Sequence, residues 1–211
     1  MKKILLIGVK GQLGHEITRK WEEKTTGTDL LMKEDSALIG LSSNELDITD
    51  KNSVLSCIKD MAPDVIINSA AYTNVDEAED NFDRAFSVNA IGARNLAIAA
   101  ETVGAKLAFV STDYVFDGKG VLAGGKIVPY REYDATNPVN VYGKTKLLGE
   151  QYTREFCSRY FIIRTSWLYG ENGSNFVKTI IKLAKEKGFL QVVNDQTGNP
   201  TNTEDLAEHI L

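Results

Sequence analysis

Short apolar runs rich in β-branched residues alternate with longer stretches of helical period along almost the whole chain. Ile4–Ile7, Ala37–Leu41, Val65–Asn68, Leu107–Ser111, Tyr160–Arg164 and Leu190–Val193 read as strands. Leu13 to about Trp21, Ser53–Met61, Asp83–Val103, Tyr142–Phe156 and Asn175–Lys187 read as helices, Asp83–Val103 as one long amphipathic helix. Strands separated by helical crossovers join in parallel. The strand runs are continuously apolar rather than alternating, as in strands covered on both faces. The expected fold is therefore α/β, a doubly wound parallel sheet with helices on both sides. Of the 211 residues 43% are hydrophobic, ample for such a core.

Three stretches break the alternation. Residues 22–36 are charged and include Thr-Thr-Gly-Thr, which predicts a surface excursion before the second strand. Residues 117–140 carry Gly118, Gly120, Gly124, Gly125, Pro129 and Pro138, which predicts a long loop. Thr203–Leu211 reads as the start of a helix, with Thr203 as its cap and acids in the first turn. That run stops on Ile210-Leu211 with no stop signal, so a continuation of the chain is expected.

The net charge of −5 argues against a nucleic-acid partner, while leaving room for a local phosphate pocket. Cys57 and Cys157 lie far apart, so neither a disulfide framework nor a zinc site is expected, and a reduced cytoplasm fits. His15 and His209 are the only histidines, which disfavours a His-rich metal site. The apolar run ending at Gly8 is too short for a signal peptide core or a membrane span.

The first strand–helix junction reads Gly8-Val9-Lys10-Gly11-Gln12-Leu13-Gly14, a G-x-x-G-x-x-G loop. In this context the first glycine permits the tight turn and the second lets backbone approach a pyrophosphate. The third lets helix pack closely on strand. The N–H groups opening the helix, at Gln12 and Leu13, then face the phosphates. This is the Rossmann-type signature of NAD(P) binding. The second strand is followed by Ser42-Ser43 rather than by the acid that would clamp a ribose 2′-OH, which permits NADP as well as NAD. Lys10 reads either as a cation near the phosphates or as a solvated loop lysine. Asp47, with Ile48 beside it, reads either as an acceptor for the adenine amino group or as a helix cap.

Tyr142-Gly143-Lys144-Thr145-Lys146 places Tyr142 and Lys146 one turn apart on a helix face. A lysine cation beside the phenol would lower its pKa and make Tyr142 a proton donor to a nascent alkoxide. Lys146 would also hold the nicotinamide ribose. Thr112, at the C-terminal end of the fourth strand where such sheets bind ligands, reads either as a group that would polarise a substrate carbonyl or as a turn or cap residue. Ala70, Ala71 and Tyr72 follow the third strand, and the small alanines would let a cofactor approach the backbone. Asn89 sits mid-helix, where Asn is unfavourable, which points to a buried polar contact near the cofactor.

These segments in this order resemble the extended short-chain dehydrogenase/reductases, and within them the family of dTDP-4-dehydrorhamnose reductases. The resemblance covers essentially the whole chain. It rests on Gly8–Gly14, Leu46–Asp50, Asn68–Glu79, Val88–Ala97, STDYVFDG (Ser111–Gly118), YGKTKLLGE (Tyr142–Glu150), RTSWLYG (Arg164–Gly170) and NDQTGNPT (Asn194–Thr201). It implies a triad of Thr112, Tyr142 and Lys146. The implied reaction is hydride transfer from NADPH or NADH to the C4 ketone of dTDP-4-dehydro-6-deoxy-L-mannose. The implied product is dTDP-L-rhamnose, a precursor of cell-surface polysaccharide such as lipopolysaccharide O-antigen. Tyr114 and Trp167 match the sugar-contacting aromatics of this family. Residues 1–170 would form the dinucleotide-binding domain with the catalytic residues, and 171–211 the start of a substrate lobe plus returning sheet elements. Some members are described as homodimers joined through Mg2+ held by glutamates, and Glu16 and Glu204 match two of those positions. Lys10 in the glycine loop and the length of the 22–36 excursion depart from the common pattern.

Two other readings stay open at this point. A nucleotide-sugar 4,6-dehydratase or epimerase shares the fold, but dehydratases carry Thr-Asp-Glu where this chain has Thr112-Asp113-Tyr114. A non-catalytic, NADP-binding regulatory subunit resembling the methionine adenosyltransferase β subunit shares the YVFDG and YGKTK segments.

Overall fold

The computed structural model describes residues 1–23 and 36–211. The excursion expected over 22–36 falls almost wholly outside the described residues. Five parallel strands form the central sheet: β1 (Lys2–Ile7), β2 (Ser36–Leu41), β3 (Val65–Asn68), β4 (Lys106–Thr112) and the fifth at Tyr160–Thr165. The spatial order is β2-β1-β3-β4 and then that fifth strand. The chain moves outward from β1 in one direction to β2 and returns to the other side for β3. The order therefore reverses beside β1, and a crevice opens there at the C-terminal strand ends.

Alternate side chains of the strands feed two cores, as the period of 2 requires. Leu5, Ile7, Ile66 and Leu107 pack on one face against Val54 and Ile58 of α2 (Lys51–Met61) and Leu96 of a later helix. Leu6, Ile67, Ala108 and Val110 pack on the other face against Leu13 and Ile17 of α1 (Gln12–Glu23). Ala207, from the last helix, completes that second core.

The run read as one helix over Asp83–Val103 is helical throughout but not uniform. A short α3 (Val75–Asp80) precedes it; then α4 (Phe82–Phe86) passes into a π-helical stretch, Ser87–Gly92, before α5 (Ala93–Val103). Wide turns of this kind appear where a side chain is needed at an angle that the regular repeat does not supply. Here the side chain is Asn89, which is buried. It accepts a hydrogen bond from the Tyr72 N–H (2.8 Å) and donates to the Tyr72 carbonyl (3.0 Å) and to Thr145 Oγ1 (3.1 Å).

The stretch 117–140 is not all loop. It holds a two-stranded antiparallel hairpin, β5 (Val121–Ala123) with β6 (Lys126–Val128). Next come α6 (Val141–Phe156), the fifth sheet strand β7 (Tyr160–Thr165), a short β8 (Leu168–Tyr169) and α7 (Phe176–Lys187). The strand expected at Leu190–Val193 does not form: no strand of the described residues lies beside it, and a β-branched run without a neighbour has no ladder to join. The chain instead pairs β8 with β9 (Thr201–Asn202). The closing helix α8 (Thr203–Ile210) is capped by Asn202, whose Oδ1 accepts from the Glu204 N–H (2.8 Å). Thr203, expected as the cap, is one residue inside, and its hydroxyl donates to the Tyr169 carbonyl (3.3 Å). No helix of the described residues is long and apolar enough to cross a membrane.

Candidate active site

A cleft of ≈ 890 Å³ runs along the crevice at the strand ends. One end is built by the glycine loop. Gly8 has φ +88°, a conformation open to glycine, and follows β1 directly. A Cβ on Gly14 would stand 2.2 Å from the Gly8 carbonyl oxygen, so only glycine lets α1 sit this close to the turn. Gly14 thus lies beneath the loop rather than on the cleft surface. The N–H groups of Gln12, Leu13 and Gly14 precede the first helical hydrogen bond, which runs from His15 N–H to Gly11 C=O (2.9 Å). They are the unsatisfied donors of a helix start. Gln12 Nε2 and Thr165 Oγ1 are buried at the cleft without a hydrogen-bond partner among the described residues. A cradle of free donors under backbone that tolerates no added side chain fits a dinucleotide pyrophosphate.

Gly8, Lys10, Gly11, Gln12 and Leu13 line this end, with Ser42, Asp47 and Ile48 beside them. Ala70, Ala71 and Tyr72 form the floor after β3. Asp47 is not the helix cap. Its Oδ1 accepts from the Thr49 N–H (2.9 Å) and hydroxyl (2.8 Å), while Asp50 caps α2. Asn89 does not reach the cleft; it holds the backbone of Tyr72 from behind.

Thr112, Tyr142 and Lys146 meet at the other end, with Tyr114 and Trp167. Asn140 starts α6 by accepting from the Gly143 N–H (2.7 Å). A Cβ on Gly143 would stand 2.2 Å from the Tyr114 carbonyl oxygen. This close approach brings Tyr142 onto the end of β4, where its ring meets Tyr114 edge-on at 5.6 Å. Thr112 is buried; its Oγ1 accepts from the Tyr114 N–H (3.2 Å) and donates to Asp113 Oδ1 (3.2 Å). Trp167 is 43% exposed and has φ +46°, rare for a non-glycine residue, and its indole rests on Gly198. It is therefore a cleft wall rather than a core side chain.

The expected electrostatics are not those found. Lys146 does not hold Tyr142 as an easily ionised phenol. Its ammonium turns into the sheet, donates to the Val110 carbonyl (2.6 Å) and lies 4.2 Å from the Phe109 ring centroid. Burial pushes Lys146 down to about 7, partly opposed by Glu150. Burial pushes Tyr142 up to about 12, against a hydrogen bond with Thr112 that pulls it down. Tyr142 is thus a phenol that keeps its proton through the neutral range.

Several residues around the site carry no signature in the sequence. Arg84, Asp113, Gly173 and Ser174 line the cleft. Glu150 is wholly buried behind it and accepts from Ser111 Oγ (2.6 Å), from Arg164 through Nε (2.8 Å) and Nη2 (2.7 Å), and from Arg154 (2.9 Å). The i, i+4 step from Lys146 to Glu150 was the available signal for it.

Glu16 and Glu204 also come together, at a separate cavity of ≈ 440 Å³. Arg19 bonds both, to Glu16 through Nε (2.7 Å) and to Glu204 at 3.1 Å, and Lys20 bonds Glu204 at 2.5 Å. Two cations already neutralise the pair, and no group of three suitable ligands occurs among the described residues.

The model of the RmlD substrate binding domain matches residues 1–211. The chain belongs to the RmlD family, that of the dTDP-4-dehydrorhamnose reductases. The RmlD-family dTDP-4-dehydrorhamnose reductase of Aggregatibacter actinomycetemcomitans is 42% identical over 211 residues, 100% of this chain and 67% of its own. The spore coat polysaccharide biosynthesis protein SpsK of Bacillus subtilis (strain 168) is 43% identical, over 100% of this chain and 69% of its own. A crystal structure of the Bacillus anthracis dTDP-4-dehydrorhamnose reductase in complex with NADP superposes with a TM-score of 0.86 at 42% identity. The match covers 100% of this chain and 69% of that one. The chain thus spans about two thirds of the length of these RmlD relatives.

Proposed function

We propose that this chain carries the cofactor-binding and catalytic part of a reductase acting on the C4 ketone of dTDP-4-dehydro-6-deoxy-L-mannose to give dTDP-L-rhamnose. The observation that carries this reading is the meeting of Thr112, Tyr142 and Lys146 on the same cleft that the glycine loop opens into. NADH or NADPH would lie along that cleft, held at the pyrophosphate by the N–H groups of Gln12 and Leu13. A bound reduced nicotinamide supplies the hydride that adds to C4. The Thr112 hydroxyl, turning its proton from Asp113 Oδ1, would donate a hydrogen bond to the ketone oxygen and polarise the carbonyl. Tyr142 passes its phenolic proton to that oxygen as negative charge develops on it, and regains a proton from solvent. Lys146 would hold the ribose beside the reacting carbon once its amine turns from the Val110 carbonyl to the cleft, and Tyr114 and Trp167 would enclose the sugar. Residues 171–211 would begin the substrate lobe, and the protein would work in the cytoplasm on a soluble nucleotide sugar.

The test mixes the purified chain with NADPH and dTDP-4-dehydro-L-rhamnose and follows the reduced-nicotinamide absorbance, with Tyr142→Phe beside it. Oxidation that the variant lacks is the expected result. Cofactor binding by fluorescence without turnover would point instead to the regulatory-subunit reading, and no cofactor binding would remove the reductase reading altogether.

A further inference from the structure

Glu45 takes no part in the site described above. It lies in the tight turn that follows β2, where the N–H groups of Glu45 and Leu46 both donate to the Ser42 carbonyl (3.0 Å each). The turn folds the side chain back on itself. Glu45 Oε2 accepts from the Ser42 N–H (2.8 Å) and from Ser42 Oγ (2.7 Å). Ser42 is the first residue beyond β2, is buried, and lines the cleft with Ser43 and Lys10. At this point of a dinucleotide-binding sheet an acid commonly receives the ribose 2′-OH. The chain has serine there in sequence, and the fold hydrogen-bonds the exposed Glu45 carboxylate to that serine.

Two charges of opposite sign act at this spot, the Glu45 carboxylate on Ser42 and the Lys10 cation on the cleft lining. The bonds from Ser42, backbone first, hold the Glu45 carboxyl below its ordinary range, and the Lys10 cation adds to this. A 2′-phosphate needs donors, and Glu45 occupies both the N–H and the hydroxyl of Ser42. It also repels the phosphate, whereas Lys10 attracts it. A 2′-hydroxyl has the reverse preference, because it can donate to the carboxylate.

We propose that Glu45 and Lys10 set the choice between NADH and NADPH, the Glu45 carboxylate on Ser42 favouring NADH and the Lys10 ammonium favouring NADPH. This rests on the cofactor-binding reading above. The contrasting role for Glu45 is local: a Ser-x-x-Glu box that caps the turn. Gln at this position keeps an acceptor oxygen for the turn and removes only the charge, so the two roles separate.

The experiment titrates the full chain with NADH and NADPH by fluorescence, for the parent, Glu45→Gln and Lys10→Ala. The ratio Kd(NADPH)/Kd(NADH) is expected to fall roughly tenfold in Glu45→Gln and to rise about three- to tenfold in Lys10→Ala, with smaller shifts in high salt. A ratio that Glu45→Gln moves by less than about twofold overturns the role of the acid and leaves it a turn cap. An unmoved ratio in Lys10→Ala overturns the role of the lysine. If Glu45→Gln loses its fold, Lys10→Ala still tests the pair, with opposite sign. Failure of the parent to bind either cofactor is a different result, and overturns the cofactor reading itself.

Discussion

Lys146 has been taken out of water almost completely, 2% exposed, and its amine is held by one carbonyl and one aromatic face. With the folded value pushed down to about 7 from 10.5, the unfolded chain carries a proton on this group through that whole interval and the folded chain does not. Stability linked to Lys146 therefore rises with pH between about 7 and about 10.5, and below that window its desolvation is felt in full. Lys146→Met is expected to melt above the parent at pH 7, with the difference shrinking toward pH 10; a difference constant over that range would refute the linkage. Tyr142 behaves differently, because its phenol stays protonated below about 12. Tyr142→Phe removes a hydroxyl facing the cleft, so stability should change by less than about 1 kcal/mol while turnover is lost. Melting curves and single-turnover assays on the same preparation separate the two effects.

Helix α6 is fixed to the end of β4 by two contacts of different kinds, one steric and one ionic. Gly143→Ala forces a methyl into the Tyr114 carbonyl, and overpacking of this sort costs about 1–3 kcal/mol. Because the displaced turn carries Tyr142, turnover should fall more than cofactor affinity. Glu150 joins α6, β4 and β7 through Ser111 and Arg164, and Glu150→Gln leaves the Arg164 charge without its partner, expected to cost about 3–5 kcal/mol in denaturant unfolding. Burial alone would raise this carboxyl, but the bonds from Arg164 and Ser111 outweigh it and hold the carboxyl below the ordinary range. Its contribution is thus complete above the unfolded pKa of about 4.3 and disappears as pH falls through the lower folded value. The acid-unfolding curve of Glu150→Gln should be correspondingly flatter. Features that depend on local spacing were legible in the sequence: the glycine loop at the first junction, Tyr142 and Lys146 on one helix face, and most strand and helix ranges. What was hidden depends on distant partners. The Lys146 amine chooses a carbonyl 36 residues away, and the π stretch adjusts Asn89 to the Tyr72 backbone. Leu190–Val193 has the composition of a strand, yet composition supplies no neighbour to pair with.

Across the whole molecule the cleft draws on distant parts of the chain, from the glycine loop, the β2 turn and the β3 floor to β4, α6 and the segment after β7. A cofactor bridging these parts binds the folded state alone, so saturation at about 100 times Kd should add about 2.7 kcal/mol and raise Tm. Differential scanning calorimetry with and without NADH measures this directly. The exposed apolar face of α7 makes no such link: Ile181 is 50% exposed, and Ile181→Glu should leave both unfolding free energy and cofactor affinity within about 0.5 kcal/mol of the parent. The chain has two tryptophans, and only Trp167 lies on the cleft. Held against Gly198 by its left-handed backbone, it is an emitter fixed in position beside the place where a nicotinamide would absorb. This side of the cleft is therefore also an optical reporter: energy transfer from Trp167 would time the arrival of the reduced cofactor, and the loss of that transfer would time its oxidation, in a chain carrying no added label.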